Sequence, residues 1–171
     1  FTFEIDLADS DRGVYESLSL RVARHPSEAD EFLVARVLAY CLEYTDGIEF
    51  SRGLSDADEP PVAVRDLTGV MHVWIDVGTP SAERLHRASK AVPRVVVYVH
   101  KDPTQWLSSL ASARIHRAES LELQLLERRL IAALTARLDR RMSFALSVSG
   151  GELFVSFAHA TLSGTVTVVK I

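Results

Sequence analysis

A single cysteine, Cys41, leaves this chain no intramolecular disulfide and no thiolate set for structural zinc. Cys41 shares helical spacing with Val34, Val37 and Leu38, so it reads as a small buried hydrophobe rather than a nucleophile. The histidines at 25, 72, 86, 100, 116 and 159 show no zinc-like spacing either. Long apolar runs are also missing. Nothing approaches the roughly 20 residues of a membrane-spanning helix, and the opening FTFEIDLADSD alternates instead of placing a basic end before an apolar block. A cytoplasmic location with no membrane partner is expected.

Lysine is scarce: Lys90, Lys101 and Lys170 are the only three, and arginine supplies the remaining positive charge. The net charge of -4 offers no general attraction to nucleic acid or anionic lipid, so binding of either would require the cations to cluster on one face. The sequence has no G-x-x-x-x-G-K-[ST] loop, no G-x-G-x-x-G after a strand and no G-x-S-x-G elbow. Their absence removes the common phosphate-loop, dinucleotide and α/β-hydrolase designs.

What remains is an ordinary globular composition, 47% hydrophobic and 25% charged over 171 residues, which suits one domain spanning 1–171. Phe1, Phe3, Ile5 and Leu7 alternate up to turn residues at Ser10 to Gly13, and a period of two resumes through Val22, predicting an N-terminal hairpin. A helix is expected from a Ser27 cap, with Glu28 and Asp30 favouring the positive end of its dipole, to a glycine stop near Tyr44. Ile48 to Ser51 and Val62 to Arg65 read as short strands flanking a polar loop from Gly53 to Pro61.

Val70 to Val77 is nearly all apolar, Gly78 to Ser81 breaks it and opens a helix carrying Leu85, Ala88 and Val92, and Arg94 to Val99 is the next strand. That is a βαβ unit, so the two strands should lie parallel with a right-handed crossover. Beyond it the pattern predicts a short helix over Gln105 to Ser112 and one helix over Leu121 to Leu138 striped by Leu126, Leu130, Leu134 and Leu138. A hairpin at Met142 to Phe157 and a strand over Thr165 to Ile171 complete the chain. The fold class is α/β, a mixed sheet with flanking helices.

Several blocks in order, His25-Pro26-Ser27-Glu28, Glu49-Phe50-Ser51-Arg52-Gly53-Leu54-Ser55, Asp58-Glu59-Pro60, Asp66-Leu67-Thr68-Gly69, Trp74-Ile75-Asp76-Val77-Gly78-Thr79-Pro80 and Val95-Val96-Val97-Tyr98, resemble the bacterial YaeQ family. The resemblance covers nearly the whole chain. It implies a variant of the PD-(D/E)XK nuclease-like fold, with the N-terminal hairpin and C-terminal strands added to its core. In that superfamily a Pro-Asp opens one strand, an acid ends the next, and a lysine two residues on orients water. Here Pro60 matches the proline and Asp76 the second acid, but Pro61 stands where Asp is usual and Gly78 where the lysine would be. The resemblance implies that a cation from the following helix substitutes, aligning with Arg87, with Lys90 one turn later, and that Glu31 matches a further helical acid.

Phosphodiester hydrolysis in such a site needs hard oxygen ligands for Mg²⁺ and a group that positions water. Asp76 and Glu59 are the expected metal ligands, with Asp76, Arg87, Lys90 and Glu31 as the catalytic set. Each has a plainer reading: Asp76 as a cap accepting amide hydrogen bonds, Glu59 as a solvated loop charge, Arg87 and Lys90 as helix-surface cations. Two functions follow: a Mg²⁺-dependent nuclease-like phosphodiesterase, or a non-catalytic member of the fold that binds nucleic acid or a protein partner.

Overall fold

The structure, a computed structural model, describes residues 1–51 and 58–171. Residues 52–57, most of the expected polar loop, lie outside the described residues. Ten strands form one mixed sheet: β1 (Thr2–Asp9), β2 (Val14–Arg21), β3 (Ile48–Phe50), β4 (Val62–Arg65), β5 (Met71–Val77), β6 (Arg94–Val99), β7 (Glu122–Leu126), β8 (Arg141–Ser149), β9 (Glu152–Ser156) and β10 (Thr161–Val169). Four helices accompany them: α1 (Asp30–Leu42), α2 (Ala82–Ala91), α3 (Thr104–Ala111) and α4 (Arg128–Ala136). The order across the sheet is β2-β1-β8-β9-β10-β7-β6-β5-β4-β3.

The N-terminal hairpin forms as its alternation requires, with Ile5 opposite Leu18 and Gly13 turning at φ +69°. Its inward residues Phe3, Ile5 and Leu7 are buried while Glu4 and Asp6 face outward. Strand β1 then lies parallel to β8, which joins the two ends of the chain. The predicted βαβ unit is present: β5 and β6 are parallel, with Trp74 beside Val95 and Asp76 beside Val97. Strand β7 adds a third parallel neighbour.

Alternation along these strands feeds two cores. Ile75, Val77, Val96 and Tyr98 face α1 and α4, whereas Trp74, Val95, Val97 and Val99 pack with residues of α2 and α3. The sheet is therefore buried on both faces here, which explains the near-continuous apolar runs.

Two sequence expectations change. Leu121 to Leu138 is not one helix; residues Glu122–Leu126 are a strand and Arg128–Ala136 a helix. Leu126, Leu130 and Leu134 are all buried, but Leu126 reaches the core from a strand, so the four-residue spacing crosses a strand-to-helix corner. A leucine every four residues cannot by itself distinguish the two. The α1 cap also moves. Ala29 is the N-cap residue without a side-chain hydrogen bond, Ser27 Oγ lies 2.7 Å from His25 Nδ1, and Glu28 is buried.

Inside α1, Val34, Val37, Leu38 and Cys41 are all buried as expected. Burial pushes the Cys41 thiol up to about 12, so it stays protonated and unreactive. Where α4 crosses β10, Gly164 is the point of closest approach: a Cβ there would sit 2.7 Å from both Leu130 Cβ and Glu127 Oε2. Gly164→Ala is expected to cost about 2 kcal/mol by overpacking, measured as a lower urea midpoint with unchanged slope.

Candidate functional site

The carboxyl ends of the parallel strands β5, β6 and β7 are where an α/β sheet leaves room for a ligand. A cleft of about 1090 Å³ opens there. From β5 and the turn after it come Asp76 and Gly78; from the end of β6 come His100 and Lys101. The first turns of α1 and α4 close it with Glu31 and Phe32 on one side and Arg128 and Arg129 on the other.

Asp76 is only 3% exposed. It shares the face of β5 with Trp74, as a strand's two-residue period requires, and each of its oxygens accepts a hydrogen bond. Oδ2 accepts hydrogen bonds from Arg84 Nε at 2.8 Å and Trp74 Nε1 at 3.0 Å, and Oδ1 accepts the Val77 N–H at 3.2 Å. Arg84 reaches it because Ser81 caps α2, accepting the Arg84 N–H at 3.2 Å, which places Arg84 in the first turn directly after the strand. The guanidinium also lies over the Trp74 ring, 5.0 Å from its centroid, and its Nη2 donates to the Glu59 carbonyl at 2.8 Å. One arginine thus ties β5, α2 and the segment before β4 together.

The other expected site residues scatter. Arg87 and Lys90 are exposed on later turns of α2 and do not line the cleft. The Glu59 carboxylate is 3.7 Å from Arg65, which also holds Glu49 at 2.9 Å. Glu31 does line the cleft with Asp76, from an exposed position. Pro61 lines it as well. Gly78 has φ +91° and donates its N–H to Tyr98 at 2.9 Å. Any side chain at this position would be strained by the left-handed conformation.

As arranged, the Asp76 carboxylate spends three of its roughly four lone-pair positions on two side-chain donors and an amide, so a Mg²⁺ ion there would compete with Arg84. Among the described residues no group of three or more His, Cys, Asp or Glu side chains is placed to hold a metal.

Sequence reasoning missed Arg84, His100, Lys101, Arg128 and Arg129. Arg84 was legible in principle as the third residue after the Ser81 cap. His100-Lys101 follows β6 as Gly78-Thr79 follows the end of β5, and the same strand-end rule applies to both. Arg128 and Arg129 were hidden inside the supposed long helix. His100 is 6% exposed, its Nδ1 has no hydrogen-bond partner, and Phe32 meets its ring edge-on at 6.5 Å. Burial, reinforced by Lys101 and opposed by Glu31, holds the imidazole below its ordinary range and so neutral at pH 7. Behind the cleft, Glu28 and Arg36 form a buried ion pair at 3.3 Å.

The sequence matches the profile of the YaeQ protein family over residues 1–166. This chain belongs to the YaeQ family. Within the family it is 30% identical over 155 residues to the uncharacterized protein YaeQ of Escherichia coli K12, covering 89% of this chain and 84% of that one. It is 28% identical over 160 residues to its Salmonella typhi counterpart, covering 92% and 88%. The crystal structure of YaeQ from Xanthomonas axonopodis pv. citri superposes with a TM-score of 0.89 at 36% identity, covering 99% of this chain and 96% of that one. That of YaeQ from Pseudomonas syringae gives 0.90 at 29%, covering 99% and 94%. The mixed sheet and its flanking helices are thus the form of the YaeQ family. No helix among the described residues is long and apolar enough to cross a membrane.

Proposed function

We propose that this YaeQ-family chain is a non-catalytic nucleic-acid-binding protein on a PD-(D/E)XK-like framework. In this reading Arg84 neutralises the strand-end acid that a nuclease of that framework would give to a metal ion. The observation that carries the reading is the Asp76 carboxylate held by Arg84, facing the same cleft as Lys101, Arg128 and Arg129. Asp76 is paired with Arg84 and Glu28 with Arg36. That leaves Lys101, Arg128 and Arg129 around the opening, opposed by Glu31. The positive charge that an acidic chain must concentrate to bind phosphates is concentrated there. The framework itself is supported by Asp76 at the end of a buried strand, Pro61 beside it and helices on both sheet faces.

The Mg²⁺-dependent phosphodiesterase is the second reading, favoured only by Asp76 and Glu31 facing one cleft. It would require Arg84 to leave Asp76. The two separate in one experiment, fluorescence anisotropy with short single-stranded DNA and RNA in EDTA. Three phosphate contacts predict an affinity that falls with salt with a log–log slope of about -2. Lys101→Glu should flatten that slope. Absence of binding in EDTA at low salt, or Mg²⁺-dependent cleavage lost in Asp76→Ala, would overturn the binding reading in favour of the enzyme.

A further inference from the structure

We infer that the cleft receives the terminal phosphate monoester of a nucleic-acid strand, seated between the N-terminus of α4, Lys101 and His100; this deepens the nucleic-acid-binding reading above and rests on it. The geometry begins with α4. A nine-residue helix leaves its first N–H groups without intrahelical acceptors, and no side chain caps this one. Its N-cap residue Glu127 turns instead to β10, where Oε2 accepts the Thr165 N–H at 3.2 Å. Helix starts favour acids, yet the first two residues of α4 are Arg128 and Arg129, and its first turn holds no acid. Two cations placed against the positive end of a helix dipole are unfavourable until an anion joins them.

The second observation is His100. Its side chain is more than nine-tenths buried, lines the same cleft, and has an unpartnered Nδ1. A neutral imidazole offers one donor and one acceptor. With its proton on Nδ1 the ring donates to a phosphate oxygen, and a terminal monoester, carrying about -1.5 to -2 at pH 7, answers three cations better than the single charge of a backbone diester. The monoester therefore matches the cation count, with the histidine as a neutral donor.

Size points the same way. The cleft's 1090 Å³ is near the upper end of the roughly 300–1,000 Å³ of pockets for single small ligands. It suits a strand end or a nucleotide rather than a long duplex. Among the described residues Glu31 is the acid of the cleft lining without an arginine partner, and Asp102 lies near enough to Arg128 to be felt by it.

The test is anisotropy in EDTA with single strands that differ only at one end, bearing 5′-phosphate, 3′-phosphate or hydroxyl, with a nucleoside monophosphate as competitor. A charge-assisted phosphate contact predicts a preference of about tenfold or more for one phosphorylated end. Arg128→Gln/Arg129→Gln, both exposed, should remove that preference without lowering the melting temperature, since neither cation is favoured at this helix end. His100→Gln should reduce it, and Glu31→Gln should strengthen binding. Equal affinity for phosphate and hydroxyl ends overturns the monoester site while leaving nucleic-acid binding in place. A free nucleotide that binds as tightly as the strand overturns the strand-end assignment. A preference that survives both the arginine and histidine variants removes it from this cleft. Binding by no strand overturns the underlying reading as well.

Discussion

Arg36→Met is expected to lower stability by about 3–5 kcal/mol, because it strips the partner from a buried carboxylate. Glu28 and Arg36 have side chains 0% and 3% exposed and approach to 3.3 Å, while Arg36 Nη2 also donates to the Ala23 carbonyl at 2.8 Å. In a chain of this length that loss corresponds to a fall in Tm on the order of 10 °C. Burial holds the Glu28 carboxyl above its ordinary range despite the pull of Arg36 and of the His25 amide. A folded-state value above the unfolded one means the native state keeps the proton to higher pH. The Glu28 contribution to stability therefore declines as pH rises from about 4.3 through the folded value.

Removing Arg36 lifts the folded value further, so the variant's deficit relative to the native chain should shrink as the pH is lowered from 7 toward 5. The double variant Glu28→Gln/Arg36→Met should recover much of the loss, since it leaves no buried charge unpaired. Urea unfolding of the native chain and the two variants at both pH values measures this. Equal deficits at pH 7 and pH 5 would show that packing rather than charge dominates at this pair.

Arg84→Met is expected to cost about 3 kcal/mol. Its guanidinium is 19% exposed, the Asp76 side chain 4% exposed, and their separation 2.8 Å. The substitution also removes the contact over Trp74 and the hydrogen bond to the Glu59 carbonyl. Adding Asp76→Asn should restore part of the stability, because the amide needs no cation, and the pair should show strong coupling in a double-mutant cycle. The same variants report on function. An unneutralised Asp76 in the cleft repels phosphate, so Arg84→Met should weaken oligonucleotide binding and the added Asp76→Asn should restore it. Simple additivity of the two substitutions would refute the pairing that the proposed function is built on.

The placement of Asp76 was readable because a strand's two-residue period and the terminating Gly78 are local. Its partner was not. The resemblance implied Arg87 and Lys90, but both are exposed on later turns of α2, while its first turn, beside the end of β5, carries Arg84. Glu59 was close in sequence to the motif proline and yet gives the site its carbonyl rather than its carboxylate, because Arg65 claims the latter.

The linear chain was sufficient for the N-terminal hairpin, α1, the βαβ unit, the family and the acid at the end of β5, since each is written in periodicity, turn residues or an ordered set of motifs within short spans. Tertiary structure alone decided that β7 ends beside β6 and that His100, Lys101, Arg128 and Arg129 share one opening. It also decided that Asp76 is neutralised from within. Those outcomes depend on strand order and helix crossing, which bring together residues up to a hundred positions apart and which no local spacing specifies.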